Sequence, residues 1–168
     1  MKTITRRYRL LIAGLLPMVL VACGDSEPPA PVASSFEEEL QARLISAAPG
    51  DVIEIPAGVH EFTRSLSLNI DGVTVRGAGM NESILSFKNQ QQGAEGLLVS
   101  ADDFVIEDLA IEDTVGDALK INQSNNVTIR RVRTEWTGGP LTTNGAYGIY
   151  RVQSSNVPTA GSVGIGAS

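Results

Sequence analysis

Asp71-Gly72-Val73-Thr74-Val75-Arg76-Gly77 returns in this chain as Asp102-Asp103-Phe104-Val105-Ile106-Glu107-Asp108 and as Asn125-Asn126-Val127-Thr128-Ile129-Arg130-Arg131. It returns more faintly as Ser155-Asn156-Val157. From Val73 to Phe104 to Val127 to Val157 the spacings are 31, 23 and 30 residues. Self-similarity at a period of roughly 20 to 50 residues is the mark of a solenoid. Each copy is a turn rich in Asn, Asp and Gly followed by apolar, polar, apolar and charged positions. That is the period-two pattern of a strand whose alternate side chains face opposite ways. No helical period separates the copies. The pattern predicts an all-β parallel β-helix, with Val73, Val75, Phe104, Ile106, Val127 and Ile129 pointing inward. Each strand then pairs with its equivalent one turn later, ~4.8 Å away, so that equivalent residues form columns. Loops of unequal length on the outside account for the uneven spacing.

The chain opens with a basic segment, Lys2, Arg6, Arg7 and Arg9, followed by an apolar run from Leu10 to Val21. That run is shorter than the ~20 residues of a membrane span and reads as a secretion signal. Leu20-Val21-Ala22-Cys23-Gly24 resembles the lipobox of a bacterial lipoprotein. The resemblance implies removal of residues 1–22, a diacylglycerol on the Cys23 sulfur and an acylated amino terminus, enough lipid to hold the chain on a membrane. An ordinary secreted protein is the competing reading. Cys23 is the single cysteine, so the fold contains no disulfide. Gly24, where Asp signals inner-membrane retention in such proteins, implies the outer membrane and a place in the cell envelope. Loss of residues 1–22 removes four positive charges and leaves 9 Lys and Arg against 19 Asp and Glu. A chain this acidic is a poor partner for nucleic acid or anionic headgroups, so the expectation is that lipid alone brings it to the membrane.

Residues 23–34 include Glu27-Pro28-Pro29-Ala30-Pro31 and read as an extended tether. Residues 35–50 predict a capping helix: Ser35 can cap it, Glu38 follows three residues later, and Phe36, Leu40, Leu44 and Ile45 share a face. Pro49-Gly50 ends it. Such a helix suits a lid over the open end of a solenoid.

The run from Leu40 through Ser46-Ala47-Ala48-Pro49-Gly50-Asp51-Val52-Ile53-Glu54-Ile55-Pro56-Ala57-Gly58-Val59-His60 resembles the N-terminal cap and first coil of the pectin-lyase-like superfamily. Arg76-Gly77-Ala78-Gly79, Asp117-Ala118-Leu119-Lys120-Ile121 and Asn144-Gly145-Ala146-Tyr147-Gly148-Ile149-Tyr150 fit the same group. The resemblance implies a right-handed, single-stranded parallel β-helix over residues 51–168 behind its capping α-helix. It also implies the company of polysaccharide lyases, epimerases and hydrolases, and of members without known activity. Two features depart from the pattern. Only four or five coils fit, the last breaking off at Gly164-Ile165-Gly166-Ala167-Ser168, and Val157-Pro158-Thr159 puts Pro at a strand position. The expectation is an incomplete member whose open C-terminal edge can pair with another chain.

The acidic stretch Asp102, Asp103, Glu107, Asp108, Glu112, Asp113 and Asp117 lies near Arg130, Arg131 and Arg133. Lys120, Arg133 and Asp117 are candidates for proton transfer, and Asp113 and Asp117 for holding calcium. The competing reading is structural. In register, Arg76, Glu107 and Arg130 share a column and Asp108 lies beside Arg131, a ladder of alternating charge that requires no substrate. Trp136, Tyr147 and Tyr150 can stack on sugar faces or simply pack the fourth coil. His60 reads as a turn residue without a partner, and Asn125, Asn126 and Asn156 as turn formers. No phosphate loop, zinc-ligand cluster or nucleophile elbow is present in the sequence.

Two functions follow. One is a surface-anchored lipoprotein that binds or processes an extracellular polysaccharide, with Asp113, Asp117, Lys120, Arg133 and Trp136 converging on one cleft. The other is a non-catalytic structural or adhesive module, or an inactive fragment, with those groups scattered or held in ladders.

Overall fold

The computed structural model describes residues 35–168; the signal segment, Cys23 and the tether lie outside the described residues. Each turn of the chain contributes strands to three faces. The first turn holds β1 (Val52–Ile55), β2 (Gly58–Glu61) and β3 (Arg64–Leu68), and the second β4 (Thr74–Gly77), β5 (Ser83–Ser86) and β6 (Gln92–Val99). The third holds β7 (Val105–Glu112) and β8 (Leu119–Asn122), and the fourth β9 (Thr128–Glu135) and β10 (Ile149–Val152). β11 (Thr159–Ala160) and β12 (Val163–Ile165) begin a fifth. Strands pair in parallel with their equivalents one turn away, which makes the described chain a parallel β-helix.

β7 and β9 run round a corner. The first half of β7 pairs with β4 and its second half with β5, joining two faces into an eight-stranded sheet. The bend falls at Asp108 and Arg131, both left-handed, with φ of 59° and 50°. β3, β6, β8 and β10 form the third face, a separate four-stranded sheet.

The expected columns are present. Thr74, Val105 and Thr128 are in register, and the Val105 and Thr128 amides donate to the carbonyls of Val73 and Phe104. Val73, Phe104 and Val127 therefore lie in successive layers, all fully buried. Val75, Ile106 and Ile129 form the next column inward, and the rings of Phe62 and Phe87 stack at 5.1 Å. Close packing of this apolar cylinder is the main stabilising term. At the preceding corner Gly72, Asp103, Asn126 and Asn156 all have positive φ, between 50° and 73°. Asn and Asp tolerate that conformation, and their side chains make a second ladder along the axis. Asn126 donates to Asp103 at 2.6 Å and Asn156 to Asn126 at 2.9 Å.

The helix α1 (Phe36–Ser46) starts at Ser35, whose hydroxyl accepts the Glu38 amide at 3.3 Å. Its side chains stand in for the turn that would otherwise precede β1. Buried Glu37 accepts the amides of Thr63 and Arg64 at 3.2 and 3.1 Å. Gln41 accepts the Ser67 amide at 2.9 Å and donates to the Ser67 carbonyl at 3.1 Å. Arg43 donates to the Glu54 carbonyl at 3.2 Å. An exposed row of strand polar groups is thereby satisfied. Leu40 and Leu44 enter the core, but Ile45 is 62 % exposed, contrary to the expected apolar face. The inward stripe runs through Glu37, Leu40, Gln41 and Leu44, because this helix meets a polar strand edge as well as the core. Ile45, turned about 100° past Leu44, falls outside it.

His60 also differs from expectation. It lies on β2, its ring stacks on Phe36 at 4.1 Å, and its Nε2 shares a hydrogen bond with the Pro56 carbonyl at 3.0 Å. Pro158 lacks an amide but still serves the ladder, its carbonyl accepting the Ile129 amide at 3.0 Å.

Candidate functional site

On the outer side of the eight-stranded sheet the charges cancel. Arg76 donates to Glu107 at 2.7 Å and reaches Glu54 at 3.5 Å, while Arg130 donates to the second oxygen of Glu107. Arg131 grips Asp108 with two bonds of 2.6 and 2.7 Å. Glu107 is 2 % exposed. The hydrogen bond from Arg130 outweighs the desolvation of Glu107 and holds its carboxyl below the usual range; Arg131 does the same for Asp108. Arg133, a candidate proton acceptor, pairs with Glu112 at 2.6 Å and with Glu135, and donates to the Met80 carbonyl at 3.2 Å. Two carboxylates and a carbonyl thus engage all three of its nitrogens, and its charge is neutralised within the sheet.

The third face differs. Register sets Lys120 between Leu98 and Tyr150. The amide of Gly96 donates to the Asp117 carbonyl and that of Ala118 to the Tyr147 carbonyl, so Glu95, Asp117 and Tyr147 follow one another in a neighbouring column. The Tyr147 and Tyr150 rings stack with centroids 4.6 Å apart and planes at 11°. Lys120 Nζ donates to Glu95 at 2.8 Å and lies 5.9 Å from the Tyr150 centroid. That contact with Glu95 raises the Lys120 pKa and lowers that of Glu95. The contact thus favours the ammonium form of Lys120. Burial, in contrast, raises the Asp117 carboxyl above its usual range, and among the described residues Asp117 forms no ion pair.

A third feature lies at the corner between the second and third faces. A cleft of about 420 Å³ is lined by Lys88, Asp113, Val115, Trp136, Leu141 and Asn144. Trp136 is only 4 % exposed and its indole N–H donates to the Thr114 carbonyl at 2.7 Å, so its ring is packed and offers no open stacking face. Asp113 accepts the amide and hydroxyl of Thr137 at 2.7 and 2.8 Å. Among the described residues no three His, Cys, Asp or Glu side chains gather as a metal site, and Asp113 and Asp117 serve separate features.

The anticipated residues thus do not converge on one cleft. Asp117, Lys120, Tyr147 and Tyr150 come together; Asp113 and Trp136 belong to the corner; Arg133 lies on the other sheet. Glu95 was not anticipated. Its signal is a second repeat, Glu95-Gly96-Leu97-Leu98-Val99 against Asp117-Ala118-Leu119-Lys120-Ile121 and Tyr147-Gly148-Ile149-Tyr150.

No protein-family model matches the chain, and no curated protein sequence is similar to it. Solved structures are. A mutant pectin methylesterase in complex with a hexasaccharide superposes with a TM-score of 0.50 at 16% identity, over 79% of this chain and 46% of that one. Another pectin methylesterase complex with a hexasaccharide gives 0.48 at 15%, over 73% and 42%. The chain spans less than half the length of either. At such identity the likeness is one of fold, and this chain is a parallel β-helix of the architecture that pectin methylesterases share.

Proposed function

We propose that this chain is a polysaccharide-binding β-helix of the cell envelope, tethered to the outer membrane by lipid on Cys23. The observation that carries the reading is the stacked Tyr147–Tyr150 pair, with Tyr147 51 % exposed, flanked by Lys120, Glu95 and Asp117 on one solenoid face. Aromatic rings cover the C–H face of a sugar, and polar groups at their edge fix its hydroxyls. A protein of this fold carries a hexasaccharide, which is consistent with an extended sugar lying along the coils. Binding is favoured over chemistry because two of the three candidate bases are occupied, Lys120 by Glu95 and Arg133 by Glu112 and Glu135, and the third, Asp117, stands beside the stacked rings, where it can serve a bound sugar. A structural or adhesive module is the second reading, favoured by the saturated ladder around Glu107.

The test is a glycan array probed with the detergent-solubilised full chain and with a Tyr147→Ala/Tyr150→Ala variant. Retention of one polysaccharide class by the parent chain alone is the expected result. Silence of both proteins, or equal retention by both, removes the reading. Mass spectrometry of the membrane fraction tests the anchor, expected as a diacylglyceryl adduct on Cys23; an unmodified thiol removes it.

A further inference from the structure

The charge around the tyrosines has a sign, and it selects among sugars. Glu95 and Asp117 supply two carboxylates to the patch, and Lys120 one ammonium already joined to Glu95 at 2.8 Å. Among the described residues no other cation serves this surface. Arg151 follows Tyr150 on β10, but strand alternation turns it to the opposite side, where it reaches the Val157 carbonyl. Lys88 lies at the corner cleft, and Arg43 bonds the Glu54 carbonyl from the helix. Residues 35–168 contain nine Lys and Arg, and the remaining six, Arg64, Arg76, Lys120, Arg130, Arg131 and Arg133, are all in ion pairs. A polyuronate needs a row of available cations along its length, and the described surface has none. Asp117 presents the converse situation: a half-buried carboxylate that feels Lys120 but forms no ion pair among the described residues, next in its column to the Tyr147 ring. An ammonium group satisfies both at once, by charge pairing with the carboxylate and by attraction to the aromatic faces.

We infer that the third-face patch selects glycans carrying free amino groups, the sugar ammonium bound between Asp117 and the Tyr147–Tyr150 pair. This rests on the glycan-binding reading above and adds the substrate class: deacetylated hexosamine polymers over uronates. Lys120 keeps Glu95 from competing for the ammonium and fixes that carboxylate at the patch edge.

The experiment is a calorimetric titration of the detergent-solubilised full chain with hexamers of glucosamine, N-acetylglucosamine and galacturonate. The glucosamine hexamer is expected to bind about tenfold more tightly than its N-acetylated counterpart, the size of one well-placed charge contact, with galacturonate the weakest. Asp117→Asn, a near-isosteric change, is expected to abolish the preference for the free amine while leaving the residual affinity for the N-acetylated hexamer. Tyr147→Ala weakens all three. Galacturonate binding as tightly as glucosamine, equal affinity for the two hexosamines, or an unchanged ratio in Asp117→Asn overturns the inference and leaves glycan binding standing. Failure of all three hexamers to bind, coupled with a silent glycan array, removes both.

Discussion

Glu107 and Asp117 are carboxylates of the same turn, ten residues apart, in opposite circumstances. Glu107 stands in a column of alternating sign, with Arg76 on one side and Arg130 on the other. Asp117 stands in a column that reads Glu95, Asp117, Tyr147, with like charge on one side and an aromatic ring on the other. Like charges at strand spacing repel, and opposite charges attract. The first column is thus complete as folded, whereas the second is relieved from the side by Lys120, which pairs with Glu95 and acts on Asp117 without bonding it. A charge in an alternating ladder contributes to stability; the one out of ladder beside stacked rings is the one we propose for a ligand.

The largest effect lies beneath both regions. Phe104, fully buried in the layered core, supports β7 ahead of both carboxylates, and Phe104→Ala is expected to cost about 4 kcal/mol in denaturant unfolding. A loss below about 1 kcal/mol would mean the layers do not transmit packing. Next comes the ladder. Glu107→Gln removes the buried charge and turns one of its two accepting oxygens into an NH2 donor facing an arginine, and is expected to cost about 2 kcal/mol, with glycan affinity unchanged.

The same residue predicts an acid transition. Its folded pKa is depressed, so its contribution is fully present above the unfolded carboxyl value of ~4.3 and is lost as pH falls through the lower folded value. Stability measured against pH should decline there in the parent chain and more shallowly in Glu107→Gln.

The patch behaves the other way. Tyr150→Ala is expected to weaken glycan binding about tenfold, as for one aromatic contact, while unfolding shifts by less than about 1 kcal/mol. A stability loss without a binding loss would assign the ring to packing. The smallest effect is in pH. Ammonium binding requires ionised Asp117, whose pKa burial raises against the opposing pull of Lys120, with Glu95 adding to the rise. Affinity for the amino glycan should therefore fall as pH is lowered, with a midpoint above the ordinary Asp value of ~3.9. Asp117→Asn should remove the step.

Much of the fold was legible because it is local. Period-two alternation in Val73–Val75, Phe104–Ile106 and Val127–Ile129, with Asn and Asp at the corners, dictates strands and bends before any partner is known. The Arg76–Glu107–Arg130 column followed from aligning those copies. The site was less legible. Ile45 faces solvent because the helix meets a polar edge through Glu37 and Gln41, and His60 has an aromatic partner supplied by that helix. Trp136 is packed against a carbonyl 22 residues upstream, a contact that depends on loop path. Glu95 was overlooked because β6 is irregular against β3, where the register shifts between Arg64 and Leu66, and its repeat emerges only beside β8 and β10.

Sequence alone determined that the chain winds, which residues fill its interior and that Arg76, Glu107 and Arg130 neutralise one another, because alternation and turn chemistry act within a few residues. Only the tertiary structure decided that Glu95, Asp117, Lys120, Tyr147 and Tyr150 are neighbours while Asp113, Arg133 and Trp136 are not. Adjacency across turns is set by the register between coils, and register depends on loops whose lengths vary from turn to turn.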